Sequence, residues 1–251
     1  MIRSLANIAV GILVLLKGLW LSGAYDQLNV DFAEHTTEVA LNRIRDDLPR
    51  LTISLKSMPK GGDLHNHLFG AIYAERFLDW AMRDTLCVSR LSFVISAHPY
   101  NKSNDTILAT ELPRLNLYEA AIDAYSMRDF VPVRGSGYDH FFATFEKFDL
   151  AGQGRSGELL AEAIKTAAGD KVSYLELMSG TPRMDKAREL GARLGWQPNF
   201  EDMRSSLLGG ALTEIVLGMP AYFDTAEACA RALLHCEETP ALPECSIVVR
   251  Y

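Results

Sequence analysis

The sequence lacks the basic excess and the cysteine spacing that mark two large classes of protein. Its 251 residues include 32 acidic and 25 basic side chains, and no basic run offsets the formal net charge of −7. Proteins that bind nucleic acid gather Lys and Arg on one face, so nucleic acid is excluded as a partner. Only four cysteines occur, and no Cys-x-x-Cys pair gives them zinc-ligand spacing. The apolar fraction of 48% is that of an ordinary globular protein, for which a small molecule is the expected partner.

The first 24 residues form a segment of their own. Arg3 is followed by an almost wholly apolar run over 5–21, which Lys17 interrupts, and Ser22-Gly23-Ala24 supplies small residues at the end. This order is typical of a secretory signal peptide and predicts a periplasmic or extracellular protein with no stable membrane span after cleavage. The alternative is an uncleaved membrane anchor. Lys17 disfavours the anchor more strongly, because a spanning helix needs about 20 apolar residues.

If the protein is exported, its cysteines could form disulfides, which persist in oxidising compartments, or remain as free thiols. Cys229 and Cys236 lie seven residues apart on a predicted helix, which is too far for a direct bond. Cys236 and Cys245 flank a turn that contains proline, and they form the more credible bridge. Four buried thiols fit the sequence equally well.

Strand-like segments alternate with helical segments, which predicts an α/β protein built from right-handed parallel βα units. Strands are expected before residue 68, at 172–178 and at 246–251. A buried parallel strand needs neighbours on both sides, so we expect the fold to be interrupted at this last strand.

Helices are predicted from the spacing of apolar residues. Leu41, Ile44 and Leu48 indicate a helix over 30–48, which belongs to an N-terminal helical arm, residues 25–57. Residues 87–137 are interpreted as inserted loops and short helices. The other predicted helices begin at Gly70 or cover 117–130, 139–148, 156–168, 185–194 and 224–237, the last with Asp224 or Thr225 as its cap.

Two histidines stand out at the end of the first predicted strand. Side chains alternate along a strand, so His65 and His67 are expected to point to the same face. Neutral imidazole is a good zinc ligand, and two adjacent imidazoles are a suitable start to a zinc site. Taken alone, a His-x-His pair also fits two ordinary surface histidines.

The residues around this pair carry a resemblance to a known family. The string Lys60-Gly-Gly-Asp-Leu-His65-Asn-His67-Leu-Phe-Gly70 closely resembles the first-strand signature of adenosine deaminases, and the preceding Met58-Pro59 is similar to their exported, growth-factor-like subgroup. Residues 141–149 resemble the phenylalanine-rich helix of that family. Residues 172–178 and 246–251 resemble its next two strands.

The resemblance implies an incomplete TIM-type (β/α) barrel over residues 58–251, with about the first three strands and their helices. It further implies zinc-dependent hydrolytic deamination of adenosine to inosine and ammonia, with His65 and His67 as the first two zinc ligands. Phe141, Phe145 and Phe148 would form an apolar wall for the purine nucleoside. Without the resemblance, these rings read as a core-facing helix stripe. The arm would suit a homodimer contact, as in the exported subgroup.

The sequence also departs from the family. Phe69 stands where many members have an aspartate that contacts the sugar, and Met178 stands where an arginine is common. The family's remaining metal ligands and its acid/base glutamate lie later in the fold, so we expect an N-terminal portion with no catalytic residue of its own. His98, His140 and His235 do not lie in matching contexts. The Pro-Cys-x-x-Cys element of a separate class of zinc deaminase is absent.

Two other functions fit the same residues. One is a secreted binding or interaction protein that has the pocket wall without the chemistry. The other is an amidohydrolase that acts on another aminopurine, to which Phe69 would be adapted. In each case, two ligands are fewer than the three protein ligands of a catalytic zinc site, so we expect the chain alone to bind zinc weakly and to deaminate adenosine slowly or not at all.

Overall fold

The computed structural model describes residues 31–97, 105–180 and 183–251. The predicted signal peptide, the first residues of the arm and His98 lie outside the described residues. The chain divides after Met58 into two units.

The first unit contains two helices, α1 over residues 31–44 and α2 over Leu48–Ser57. The prediction of one continuous helix over 30–48 is therefore wrong at its end. The Asp47 carboxylate accepts a hydrogen bond from Arg50 N at 3.2 Å and caps a new helix, whose first turn contains Pro49. An aspartate cap followed by proline is a strong start signal, and it divides the apolar repeat into two helices.

The second unit is a mixed α/β fold built on a three-stranded parallel sheet. Its strands are β1 (Gly61–His67), β5 (Val172–Met178) and β6 (Val248–Arg250), and their order is β1-β5-β6 with every pair parallel. The predicted parallel arrangement of these three segments is confirmed. A separate small sheet contains β2 (Cys87–Ser89), β3 (Ile95–Ser96) and β4 (Thr106–Leu108).

The two faces of the parallel sheet differ in their surroundings. Leu175, Leu177 and Val249 are buried, whereas their alternating neighbours Glu176 and Val248 are exposed. The buried face packs on helix α6 (Ser156–Gly169), and α9 (Ala211–Leu233) packs on α6. We call the other side the open face. It presents alternate residues of all three strands to solvent.

The remaining elements surround this frame. They are η1 (Leu68–Ala71), α3 (Ala74–Arg83), β2 (Cys87–Ser89), β3 (Ile95–Ser96), β4 (Thr106–Leu108), η2 (Ala109–Glu111), α4 (Tyr118–Tyr125), η3 (Pro132–Arg134), α5 (Gly137–Gly152), α7 (Met184–Leu194), α8 (Phe200–Leu208) and η4 (Pro243–Ser246).

Residues 87–137 contain more regular structure than the sequence predicts. Strands β2, β3 and β4 form an antiparallel sheet in the order β3-β2-β4, where only loops and short helices were expected. Each strand is two or three residues long, too short for an alternating pattern to show in the sequence. The helix predicted over 117–130 is present but ends at Tyr125.

Helix α9 is longer than predicted and begins earlier. It starts at Ala211, so Asp224 and Thr225 lie in its interior and neither is its cap. The Thr225 hydroxyl donates to the Ala221 carbonyl at 2.7 Å, the usual arrangement of a threonine inside a helix. Among the described residues, no single helix is long and apolar enough to cross a membrane, although α8 and α9 together, with a 61° bend between them, meet the same criteria of length and composition.

A disulfide joins the end of α9 to the segment that leads into β6. Cys236 and Cys245 are bonded, with their Cα atoms 5.4 Å apart, so the predicted bridge is confirmed and the alternative of four buried thiols is wrong. Cys87 and Cys229 are free thiols, and burial raises the pKa of Cys87.

Candidate functional site

The two histidines lie next to each other at the carboxyl end of β1. Both side chains are exposed on the open face, and the centroids of the His65 and His67 rings are 5.5 Å apart, with an angle of 65° between the ring planes. Two rings that share a tetrahedral ion through Zn–N bonds of about 2.0–2.1 Å have centroids about 5 Å apart. The separation of the two rings is therefore close to that of two imidazoles on one zinc ion.

The phenylalanines of α5 differ sharply in their surroundings. Phe141 is 44% exposed, and its ring lies 5.2 Å from that of Phe145. Phe145 and His67 both lie near Gly70: a Cβ atom on Gly70 would lie 3.7 Å from the Phe145 ring and 3.8 Å from the Cβ of His67. The structure thus brings Phe145 and His67 to the same small region around Gly70.

Phe148 belongs to the core. It is 4% exposed, and its ring stacks on Phe77 at 4.3 Å and contacts Phe69 and Tyr125 at 5.7 Å. Phe145 also lies 5.7 Å away, and a side chain enclosed by four aromatic rings has no free face for a ligand. Of the three predicted wall residues, Phe141 is exposed, Phe145 is half-buried near Gly70 and His67, and Phe148 is buried in the core.

A polar group that sequence reasoning did not assign lies on the same open face. Glu176 stands on β5 opposite the β1 segment that contains His65, and its carboxylate accepts a hydrogen bond from the Tyr174 hydroxyl at 2.7 Å. This hydrogen bond raises the pKa of Tyr174. Arg250 of β6 pairs with Glu176 in the strand ladder. The alternation of strand residues could have indicated this face, because Tyr174 and Glu176 are two residues apart.

The two departures from the family signature lie in different environments. Phe69 is half-buried, and its ring contacts Phe77 at 5.2 Å and crowds Gly152. Met178 is 50% exposed and pairs with His67 across the β1–β5 ladder. Phe69 therefore has a packing role in this fold, whereas Met178 places a thioether beside the histidine pair.

The described residues contain no group of three His, Cys, Asp or Glu side chains that could hold a metal ion. The other described histidines of the second unit have local partners. His140 Nε2 contacts the Ser126 carbonyl oxygen at 2.8 Å, and His235 Nδ1 lies 3.3 Å from Glu238 Oε2. Within this part of the chain, the candidate site consists of two adjacent imidazoles, the carboxylate of Glu176 on the neighbouring strand, and the phenylalanines of α5.

Neither a protein-family model nor a curated protein matches the chain.

Proposed function

We propose that this chain is the zinc-ligating, purine-facing part of an adenosine deaminase-type hydrolase that is exported to the periplasm or the exterior. One observation carries the proposal: the rings of His65 and His67 lie 5.5 Å apart on the open face, at the carboxyl end of the first parallel strand. In α/β barrels, this end of the strands is where catalytic residues are located. The parallel order β1-β5-β6 with helices between the strands is compatible with the start of a barrel.

Each group on the open face has a chemical part in this proposal. His65 and His67 would hold the zinc ion through neutral imidazole nitrogens. When bound, the ion would supply Lewis acidity for the hydrolytic removal of the purine amino group. Phe141 and Phe145 would exclude water from one side of the flat purine ring. The Glu176 carboxylate, next to the pair, would accept a hydrogen bond from a polar group of the substrate.

The remaining features support export and limit the expected activity. A disulfide such as Cys236–Cys245 persists in oxidising compartments, which agrees with a periplasmic or extracellular location. The pair provides two ligands, where a catalytic zinc site has three from the protein. We therefore expect weak zinc binding and slow or absent turnover from the 251-residue chain.

The metal part of the proposal is tested by zinc titration against a chromophoric chelator. We expect His65→Ala and His67→Ala each to lower zinc affinity by more than about tenfold, since removing a ligand exceeds the loss of an outer-shell partner. His35→Ala is the matched control, because His35 is an exposed histidine on α1 whose nearest charged partner is Glu38 at 3.8 Å. Equal affinity in all four proteins would overturn the assignment of this pair.

The substrate part is tested by ammonia release and by binding of adenosine, inosine and other aminopurines to the zinc-loaded chain. Slow ammonia release from adenosine that chelation abolishes would support the deaminase. Binding of purine nucleosides without any release would support a binding protein. Faster release from another aminopurine would support an amidohydrolase of different specificity.

A further inference from the structure

Strand β1 contains one more residue than its partner between Asp63 and Asn66, a stretch that includes His65. Along the β1–β5 ladder, Asp63 pairs with Leu175 and Asn66 pairs with Leu177. Three steps along β1 therefore match two steps along β5. This is a β-bulge, and the ladder register skips Leu64 and His65.

The bulge determines which face receives the imidazoles. Without the extra residue, His65 would stand opposite Leu177, whose side chain is 3% exposed on the helix-covered face. His67 would follow it to the same face, because a shift of one residue moves every later side chain to the opposite side of the sheet. With the bulge, Asn66 takes the position opposite Leu177, and His67 stands opposite Met178 on the open face.

Asp63 and Asn66 hold the bulged segment in shape. The Asp63 carboxylate accepts a hydrogen bond from His65 N at 3.3 Å and another from Asn66 Nδ2 at 2.8 Å. The first bond engages the N–H of a residue that the ladder leaves unpaired. The second ties the side chains on the two sides of the bulge to each other. The carboxylate thus provides a hydrogen-bond acceptor for the backbone N–H of a bulged residue.

We propose that Asp63, braced by Asn66, is a positioning residue that locks the bulge and so keeps both imidazoles on the open face, close enough to share one metal ion. The metal-sharing part of this inference rests on the proposed function, whereas the orientation of the rings can be measured independently of any metal. In this proposal, Asp63 acts through its hydrogen bonds to His65 and Asn66.

The orientation is tested by modification of the full chain with diethyl pyrocarbonate, followed at each histidine by mass spectrometry. In Asp63→Ala, we expect modification of His65 and His67 to fall while His35, His140 and His235 react as before. In Asp63→Asn, we expect His65 and His67 to react as they do in the native sequence, because an amide Oδ1 can still accept a hydrogen bond from His65 N. Asn66→Ala, which keeps the His65 bond, guards against failure of Asp63→Ala to fold and should lie between the two.

Asp105→Ala is the matched control. The Asp105 carboxylate also accepts from a backbone N–H, Leu91 N at 3.1 Å, and from a side chain, Ser89 Oγ at 2.7 Å, but in the antiparallel sheet. It should leave the modification of His65 and His67 unchanged. The inference would be overturned if His65 and His67 were modified as in the native sequence in both Asp63→Ala and Asn66→Ala. It would also be overturned if Asp105→Ala changed their modification as much as Asp63→Ala does.

Zinc titration of the same proteins separates the two proposals. Asp63→Ala should bind zinc about tenfold to a hundredfold more weakly than Asp63→Asn, the range typical of removing a partner that orients a ligand. If the chain of native sequence binds no zinc through His65 and His67, the proposed function fails. The pattern of diethyl pyrocarbonate modification then still decides the role of Asp63. If zinc binds through the pair and Asp63→Ala binds it equally well, the positioning role fails alone.

Discussion

Comparing Phe148→Ala with Phe141→Ala distinguishes a core residue from a candidate pocket residue, because the phenylalanines of α5 differ mainly in burial. Phe148 is 4% exposed and stacks on Phe77 at 4.3 Å, whereas Phe141 is 44% exposed. Both substitutions delete the same side chain from α5, so Phe141→Ala is a matched control for the loss of an aromatic residue from a helix.

The expected magnitude follows from the contacts. Truncating a buried phenylalanine costs about 3–5 kcal/mol of unfolding free energy, which includes the cavity that it leaves. Among the described residues, the aromatic neighbours of Phe141 are the rings of Phe142 and Phe145, at 5.1 and 5.2 Å, and pairs of this kind contribute about 0.5–1.5 kcal/mol. For a chain of this size, the Tm falls by about 2–4 °C per kcal/mol, so Phe148→Ala should lower it by about 6–20 °C.

Urea unfolding monitored by circular dichroism measures both variants. We expect the midpoint to shift strongly for Phe148→Ala and slightly for Phe141→Ala, with similar slopes. Phe141→Ala should instead weaken the binding of a purine nucleoside. Equal losses of stability from the two substitutions would refute the division between a buried Phe148 and a solvent-facing Phe141.

Three further predictions concern the frame around the site. Gly157→Ala should lower stability by about 1–3 kcal/mol in thermal unfolding, because its Cβ would lie 2.5 Å from Cys229. Gly169→Ala in the same helix is the control: its Cβ would meet nothing within 4 Å, so it should be neutral or stabilising. Equal effects of the two substitutions would contradict the close contact of α6 and α9. The Cys236–Cys245 disulfide closes a loop of 9 residues, and its reduction should lower the unfolding free energy by about 2–3 kcal/mol. Denaturation with and without reductant measures this difference. Equal unfolding free energies in the two conditions would contradict a stabilising role of the disulfide. Burial raises the pKa of Glu158, but hydrogen bonds from Arg155 and Arg83 outweigh burial and leave the pKa lowered. Because the pKa is lower in the folded state, ionised Glu158 stabilises the fold above the unfolded pKa of about 4.3, and this stabilisation is lost as the pH falls below that value. The unfolding free energy should therefore fall less in acid for Glu158→Gln than for the native sequence. Identical acid profiles of the two proteins would exclude this contribution.

The sequence predicts the elements of the frame well where periodicity is long and uninterrupted. The spacing of Leu159, Leu160, Ala163 and Ile164 predicts α6 almost to its ends, and the β-branched run near residue 248 predicts β6. It fails at α9, whose interior contains Pro220, a residue that normally ends a helix. It also fails in the antiparallel sheet, whose strands are too short to show a pattern.

The candidate site could be predicted only in part. Alternation places His65 and His67 on one face, but alternation alone does not say which face, because the bulge at Leu64 and His65 determines it. Helical spacing groups Phe141, Phe145 and Phe148 together, but it does not reveal that the third is enclosed by Phe77, Phe69 and Tyr125. Both distinctions depend on tertiary neighbours that lie far away in the sequence.

The central claim is that His65 and His67 bind one zinc ion together. X-ray absorption spectroscopy at the zinc edge of the zinc-loaded chain tests it most directly, because imidazole ligands give a distinct multiple-scattering signature. We predict two imidazoles at about 2.0–2.1 Å, both lost when His65 and His67 are replaced by alanine. A spectrum with sulfur ligands, with one imidazole or none, or with no change after this double substitution would contradict the claim.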